Sequence, residues 1–199
     1  MRTLPVLDYP DVPASRAVDS AAPESFALVA LSMGGYVAFE MLRQAPERVT
    51  RLALLDTSAR EDSAARRRER ADAIVALEAG RFLGVTDRLL PQLIHQTHVH
   101  GPVGDQVKAM AARVGRDAFI RQQRAILGRG DSRDLLARIT IPTAIGVGDT
   151  DVLTPPAEAE ALNTAIAGST LHTFAGCGHL PPLEKPGETS AFLRDWLVR

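Results

Sequence analysis

The sequence predicts an α/β fold, a mostly parallel sheet with flanking helices and an inserted helical segment. Three observations predict it. The run Phe-Ala-Leu-Val-Ala-Leu at Phe26–Leu31 lacks the alternation of a half-solvated strand, which suits a strand buried on both faces, and a helical pattern follows at once. Further apolar strand candidates recur with a helical stretch between the last two, the arrangement of right-handed parallel crossovers. Residues 61–138, by contrast, hold helical patterns and no convincing strand.

Taken in order, the first 25 residues offer at most one short strand at 3–7, after which Pro10, Pro13 and Pro23 break up regular structure. The strand at Phe26–Leu31 leads into a helix at 34–45, where Val37, Phe39, Met41 and Leu42 are apolar and Pro46 closes the element. Residues 51–55 ("RLALL"), 143–147 ("TAIGV") and Thr170–Phe174 ("TLHTF") supply three more strands, with an Ala-rich helix at 156–166 between the last two. Gly80, Gly101, Gly104 and Gly115 interrupt the inserted patterns, so short helices are expected there, read as a cap. The division is therefore 1–60 and 139–199 as core, with 61–138 as cap. A final helix presents Phe192, Leu193, Trp196 and Leu197 on one apolar face.

At 199 residues the chain can bury the core of one full domain. Hydrophobic residues at 45% and a formal net charge of -1 give no electrostatic case for nucleic acid or an anionic membrane as partner. One cysteine, Cys177, excludes an internal disulfide, and neither a bilayer-length apolar run nor a signal-peptide pattern is present. A cytoplasmic location is the expectation.

Ser32 stands where a strand runs straight into a helix. Such a tight elbow needs small neighbours, and Ala30 and Gly34 flank the serine. The geometry projects the hydroxyl from the carboxyl edge of the sheet, at a helix N-terminus whose free N–H groups favour a developing oxyanion. The plainer alternative is a turn serine capping the helix. A serine hydroxyl becomes a nucleophile only beside a base, and the base needs a carboxylate to fix its tautomer. Two later strands are each followed by candidates: "GDTDVLTP" offers Asp149 and Asp151, and "AGCGHLPPLEKP" offers His179.

With Ser-Met-Gly-Gly at the elbow, Gly-x-x-Asp after one strand and Gly-His near the C-terminus, the chain resembles the α/β-hydrolase superfamily over roughly residues 25–197. The resemblance implies Ser32 as nucleophile, Asp151 as acid, His179 as base and the Met33 N–H as an oxyanion donor. Asp151 matches the Asp of Gly-x-x-Asp, which leaves Asp149 as a solvated turn residue. The implied activity is cleavage of a small carboxylic ester or lactone through an acyl-enzyme, with no cofactor and no metal. Two departures stand against the family pattern. Position 30 is alanine where glycine is usual, and the residues before Ser32 do not spell the family's His-Gly oxyanion loop, so the core is expected to be N-terminally shortened. From that follow two further expectations: a homodimer covering the open sheet edge, and, as the competing reading, a catalytically impaired binding or scaffold protein.

Other clusters carry blander readings. His95, His98 and His100 have a metal-like spacing but no completing ligands, and read as cap-surface residues. His172 reads as a half-buried strand residue. Arg66, Arg67, Arg68 and Arg70 interleave with Glu61, Asp62, Glu69 and Asp72 as a solvated helix face, with recognition of an anionic substrate as the alternative. Cys177 has no elbow and reads as packing. Phe82, Leu83, Leu89, Leu90, Leu93, Ile94, Met110, Phe119 and Ile120 are equally an acyl pocket or the cap's own core.

Overall fold

Apolar runs too short for helices and bounded by turn residues become the strands of a parallel sheet. The structure, a computed structural model, describes residues 23–80 and 84–199, so the expected strand at 3–7 lies outside the described residues, as do Phe82 and Leu83. Strands β1 (Phe26–Leu31), β2 (Val49–Leu55), β3 (Thr143–Gly148) and β4 (Thr170–Phe174) pair in that spatial order, all in parallel. The register sets Leu28 beside Leu52, Leu52 beside Thr143 and Ala144 beside Thr170. Each strand therefore ends at the same edge of the sheet.

Helix α1 (Met33–Gln44) starts directly after β1 and buries Ala38, Phe39 and Leu42. Pro46 cannot continue it, and a single 3₁₀ turn at Pro46–Arg48 swings the chain into β2. The inserted segment holds α2 (Ala64–Glu78), two 3₁₀ turns, α3 (Pro102–Gly128) and the short α4 (Arg133–Leu136). Helix α5 (Pro156–Ala165) crosses from β3 to β4, and α6 (Pro181–Glu184) and α7 (Pro186–Val198) close the described chain. Proline stands at the first position of α3, α5, α6 and α7, where its missing N–H costs nothing.

Period-two alternation within the buried strands splits the core into two layers. Leu52, Leu54, Ile145 and Val147 meet Phe39, Leu42, Leu162 and Ile166 on one face. Ala53, Leu55 and Ala144 meet Phe174, Cys177 and Trp196 on the other. β2 and β3 are thus covered on both faces, as their continuous apolar runs require.

Three expectations need correction. β1 is not buried on both faces: Ala30 joins the first layer, but Ala27 is exposed and Val29 is 47% exposed, because the second layer reaches only as far as Leu31 and β2 is the only strand paired with β1 among the described residues. The final helix buries Trp196 while Leu197 is 49% exposed, so its apolar face is narrower than its sequence suggests. In the insertion, Gly115 breaks α3 at φ 72°, but Gly104 lies inside that helix, where any Cβ would sit 2.4 Å from the Val99 carbonyl oxygen. Gly104 serves close packing rather than termination.

Candidate active site

The site assembles where β1, β3 and β4 end. Ser32 takes φ 52°, ψ −118°, a strained backbone for a residue with a Cβ, and three contacts hold it. Its N–H donates to the Leu55 carbonyl at 2.9 Å, and its carbonyl accepts from the Gly35 N–H at 2.9 Å and from the Thr57 hydroxyl at 2.8 Å. The glycine that this elbow demands is Gly35, whose added Cβ would lie 2.2 Å from Thr57 Oγ1. Gly34, singled out by the sequence motif, would meet Ala30 at an ordinary 3.8 Å. Met33 is the first residue of α1, so its N–H is one of the four at a helix start that lack an intrahelical acceptor.

Ser32 Oγ lies 2.7 Å from His179 Nε2, and His179 Nδ1 lies 2.8 Å from Asp151 Oδ2. His179 and Asp151 are buried, at 4% and 3% exposure. The three residues named from sequence therefore come together in one chain of hydrogen bonds. Asp151 is held further by the amides of Leu153 and Thr154 on Oδ1 and by the Thr154 hydroxyl on Oδ2. Burial alone would raise its carboxyl, but His179 and these donors bring it below the ordinary aspartate value. It is an ionised carboxylate aimed at a ring nitrogen.

Sequence reasoning missed the residue that anchors His179. Glu184, buried in α6, accepts the amides of Gly178, Leu180 and His95, the last at 2.7 Å. It ties the His179 loop to the inserted segment. The His179 N–H itself donates to the Leu93 carbonyl at 3.0 Å, and Leu180 and Leu183 pack on the insertion's own apolar cluster of Leu90, Ile94, Val99 and Val107. The one signal in sequence was a carboxylate five residues beyond His179 in a Pro-bounded turn. Leu90 and Ile94 belong to that cluster, whereas Met110 and Phe119 stay exposed.

Asp149 is exposed in its turn, as expected, and it also makes specific contacts: its carboxylate accepts the amides of Gly176 and Cys177 at 2.9 and 3.0 Å, because β3 and β4 are neighbours and their loops meet. Burial opposes these amides, which nonetheless hold its carboxyl below the usual range. The basic run divides: Arg67 and Arg68 are exposed, while Arg66 donates to the Leu153 carbonyl at 2.8 Å and Arg70 pairs with Asp62. Asp62 also binds Arg129, which lies over the Tyr36 ring at 4.0 Å, so these charges dock the insertion on α1. Cys177 is fully buried, and burial, with the charge of Glu184 adding, pushes its thiol up, away from nucleophilic use.

Beside the elbow lies an apolar cleft of about 1120 Å³ between β1, α1 and α3, with Met33, Tyr36, Val37, Met110 and Val114 in its wall. Ser32, Asp151 and His179 are not wall residues of this cleft. Among the described residues His95, His98 and His100 form no ligand cluster; the one group with such spacing is Asp56, Asp151 and His179, and the Asp151 and His179 atoms in it are taken up by hydrogen bonds. No described helix is long and apolar enough to cross a membrane.

Strand, elbow and helix, with acid and histidine after later strands, define an α/β hydrolase. The model of the alpha/beta hydrolase family matches residues 2–192, and the chain belongs to that family. Among curated relatives, a pimeloyl-[acyl-carrier protein] methyl ester esterase of Neisseria meningitidis serogroup C is 27% identical over 175 residues, which are 83% of this chain and 67% of the relative. Among solved structures, a thermophilic esterase from Thermogutta terrifontis with malate bound superposes with a TM-score of 0.81 at 31% identity, covering 87% of this chain and 65% of that one. A hydrolase from Pseudomonas aeruginosa gives a TM-score of 0.72 at 27% identity over 92% of this chain and 68% of that one. The chain thus spans about two thirds of the length of these proteins.

Proposed function

We propose that the chain is a serine hydrolase that cleaves a small carboxylic ester or lactone through an acyl-enzyme. The observation that carries this is the unbroken run of contacts from Ser32 Oγ through the His179 ring to Asp151, at 2.7 and 2.8 Å. Relatives named as esterases support the ester class.

In this reading the Ser32 hydroxyl attacks the substrate carbonyl carbon and its proton passes to His179 Nε2. The oxyanion so formed accepts from the Met33 N–H at the positive end of α1. As the carbonyl re-forms, the C–O bond to the leaving alcohol breaks and Nε2 returns the proton to that oxygen. Water then repeats the sequence on the acyl-enzyme, releasing the acid and restoring Ser32. Asp151 holds the tautomer with Nδ1–H and stabilises the imidazolium. Residues 61–138 act as a cap over the site, anchored by Glu184 and by the Asp62 ion pairs. A homodimer is proposed on separate grounds: β1 has one described strand neighbour, and the exposed Val29, Met110 and Val114 line one cleft with it. A monomeric mass by light scattering would remove that proposal.

Steady-state hydrolysis of p-nitrophenyl acetate by wild type and Ser32→Ala tests the reaction. Turnover that survives in Ser32→Ala would defeat Ser32 as the nucleophile, and turnover absent from both would return the chain to the scaffold class.

A further inference from the structure

Asp56 takes no part in the contacts between Ser32, His179 and Asp151, yet it is 1% exposed beside them. It follows β2 directly at φ 45°, a left-handed conformation that aspartate tolerates better than most residues. Two bonds fasten it to β3: its N–H donates to the Gly146 carbonyl and its Oδ1 accepts the Gly148 N–H, each at 2.9 Å. Its other oxygen, Oδ2, is buried and meets no hydrogen-bond donor among the described residues. A carboxylate oxygen of Asp56, one of Asp151 and a ring nitrogen of His179 all lie within 4.8 Å of one another.

Two ionised carboxylates this close carry only lone pairs toward each other and repel. One proton between them removes the conflict, because the protonated partner becomes a donor. The hydrogen bonds decide which partner holds it. Asp151 accepts from two amides, a hydroxyl and the histidine, all of which favour its ionised form, whereas Asp56 Oδ2 accepts from nothing among the described residues.

We propose that Asp56 is a positioning residue held as a neutral carboxylic acid, whose Oδ2–H donates to the Asp151 carboxylate and fixes it for His179. This rests on the triad reading above. The surroundings agree: burial, opposed by the Gly148 amide and reinforced by the charges of Asp151 and Glu184, pushes the Asp56 carboxyl up to about 9. The groups facing it are Asp151 from the loop after β3, Cys177 and His179 from the loop after β4, and Glu184 from α6. Above that pH the donor is lost and a second negative charge stands beside Asp151. Asp151 then loses its fixed position, and turnover falls.

Two measurements on the full chain test this. The first is a carbon NMR titration with ¹³C-labelled aspartate carboxyls, the Asp56 signal being assigned by its loss in Asp56→Asn. A signal protonated at neutral pH and titrating near 9 is expected; titration in the ordinary aspartate range would overturn the proposal whether or not the chain hydrolyses anything. The second is the pH profile of kcat and KM on p-nitrophenyl acetate. Wild type should lose turnover on an alkaline limb near pH 9. Asp56→Asn keeps an N–H donor with no titrating proton, so it should stay within about threefold of wild type at neutral pH and lack that limb. Asp56→Ala should lower kcat about tenfold at unchanged KM, the scale of one lost hydrogen bond to a charged group. The same alkaline limb in Asp56→Asn would overturn the proposal, and that profile decides the matter if circular dichroism shows Asp56→Ala unfolded. A wild type in which Asp56 titrates near 9 but nothing is hydrolysed would overturn the triad reading, and the positioning role with it.

Discussion

Replacing Asp151 by asparagine changes a single functional atom in a place where every neighbour is a donor. The new amide can keep its carbonyl toward the Leu153 and Thr154 N–H groups that now bond Oδ1 at 2.8 and 3.2 Å. Its NH₂ group then replaces Oδ2, the oxygen that accepts the Thr154 hydroxyl at 2.7 Å and faces His179 Nδ1 at 2.8 Å. The hydroxyl can rotate and accept instead. The imidazole can satisfy the NH₂ only by turning Nδ1 into an acceptor, which puts its proton on Nε2, facing Ser32. A base that already holds the proton cannot take another. Tautomer loss of this kind costs about 10⁴ in kcat, equivalent to about 5.4 kcal/mol in the barrier. Stopped-flow or steady-state hydrolysis of p-nitrophenyl acetate measures it, with circular dichroism confirming the fold and KM expected to stay within about threefold. An Asp151→Asn variant within about tenfold of wild type would refute the reasoning. So would an equal loss in Asp149→Asn, whose side chain only clamps the Gly176 and Cys177 amides.

Other substitutions probe the scaffold. Glu184→Ala leaves the buried amides of Gly178 and His95 without their acceptor, so it should cost about 3 kcal/mol in urea denaturation and lower turnover by loosening His179. Gly35→Ala, with its Cβ pressed to 2.2 Å from Thr57 Oγ1, should cost about 1–3 kcal/mol by thermal melting, whereas Gly34→Ala should be tolerated. Asp56 makes stability depend on pH with a definite sign. Its folded value, about 9, lies above the ordinary aspartate value, so the folded state holds a proton that the unfolded state has released. Stability should therefore fall with rising pH across that window, by up to about 1.4 kcal/mol per pH unit from this group, and Asp56→Asn should remove the slope in urea titrations. Asp151, with its lowered carboxyl, has the opposite sign: its stabilisation is present above the unfolded aspartate value and is lost only as pH falls in the acid range.

What could be read from the sequence follows from how local each signal is. β1 through β4 stood out because buried parallel strands are short apolar runs, and Ser32, Asp151 and His179 because each lies just past the end of one. Position past a strand end brought forward Ser32, His179 and the pair Asp149 and Asp151; the resemblance to the α/β-hydrolase pattern chose Asp151 and implied the roles. Glu184 and Asp56 were missed because their burial and partners come from other segments: a charged residue after "PPL" or a strand-ending aspartate looks solvated until the facing loop is in place. Asp149 is exposed as expected, and only its contacts to the Gly176 and Cys177 amides went unread, since the facing loop supplies them. The exposure of Ala27 and Val29 escaped for the same reason, since an apolar run does not state which of its faces a helix will cover. Gly34 drew attention through its place in the motif, but contact with Thr57, well beyond Gly35 in the chain, gives Gly35 the tighter role.

Ser32 as an activated nucleophile is open to a direct test by active-site labelling. Wild type, Ser32→Ala and His179→Ala would be treated with a fluorophosphonate and the adduct located by peptide mass spectrometry. A single adduct on Ser32 is expected in wild type, none in Ser32→Ala, and labelling slowed by about 10³-fold or more in His179→Ala, where nothing takes the serine proton. A wild-type chain left unmodified at Ser32, or labelled as fast without His179, would contradict it.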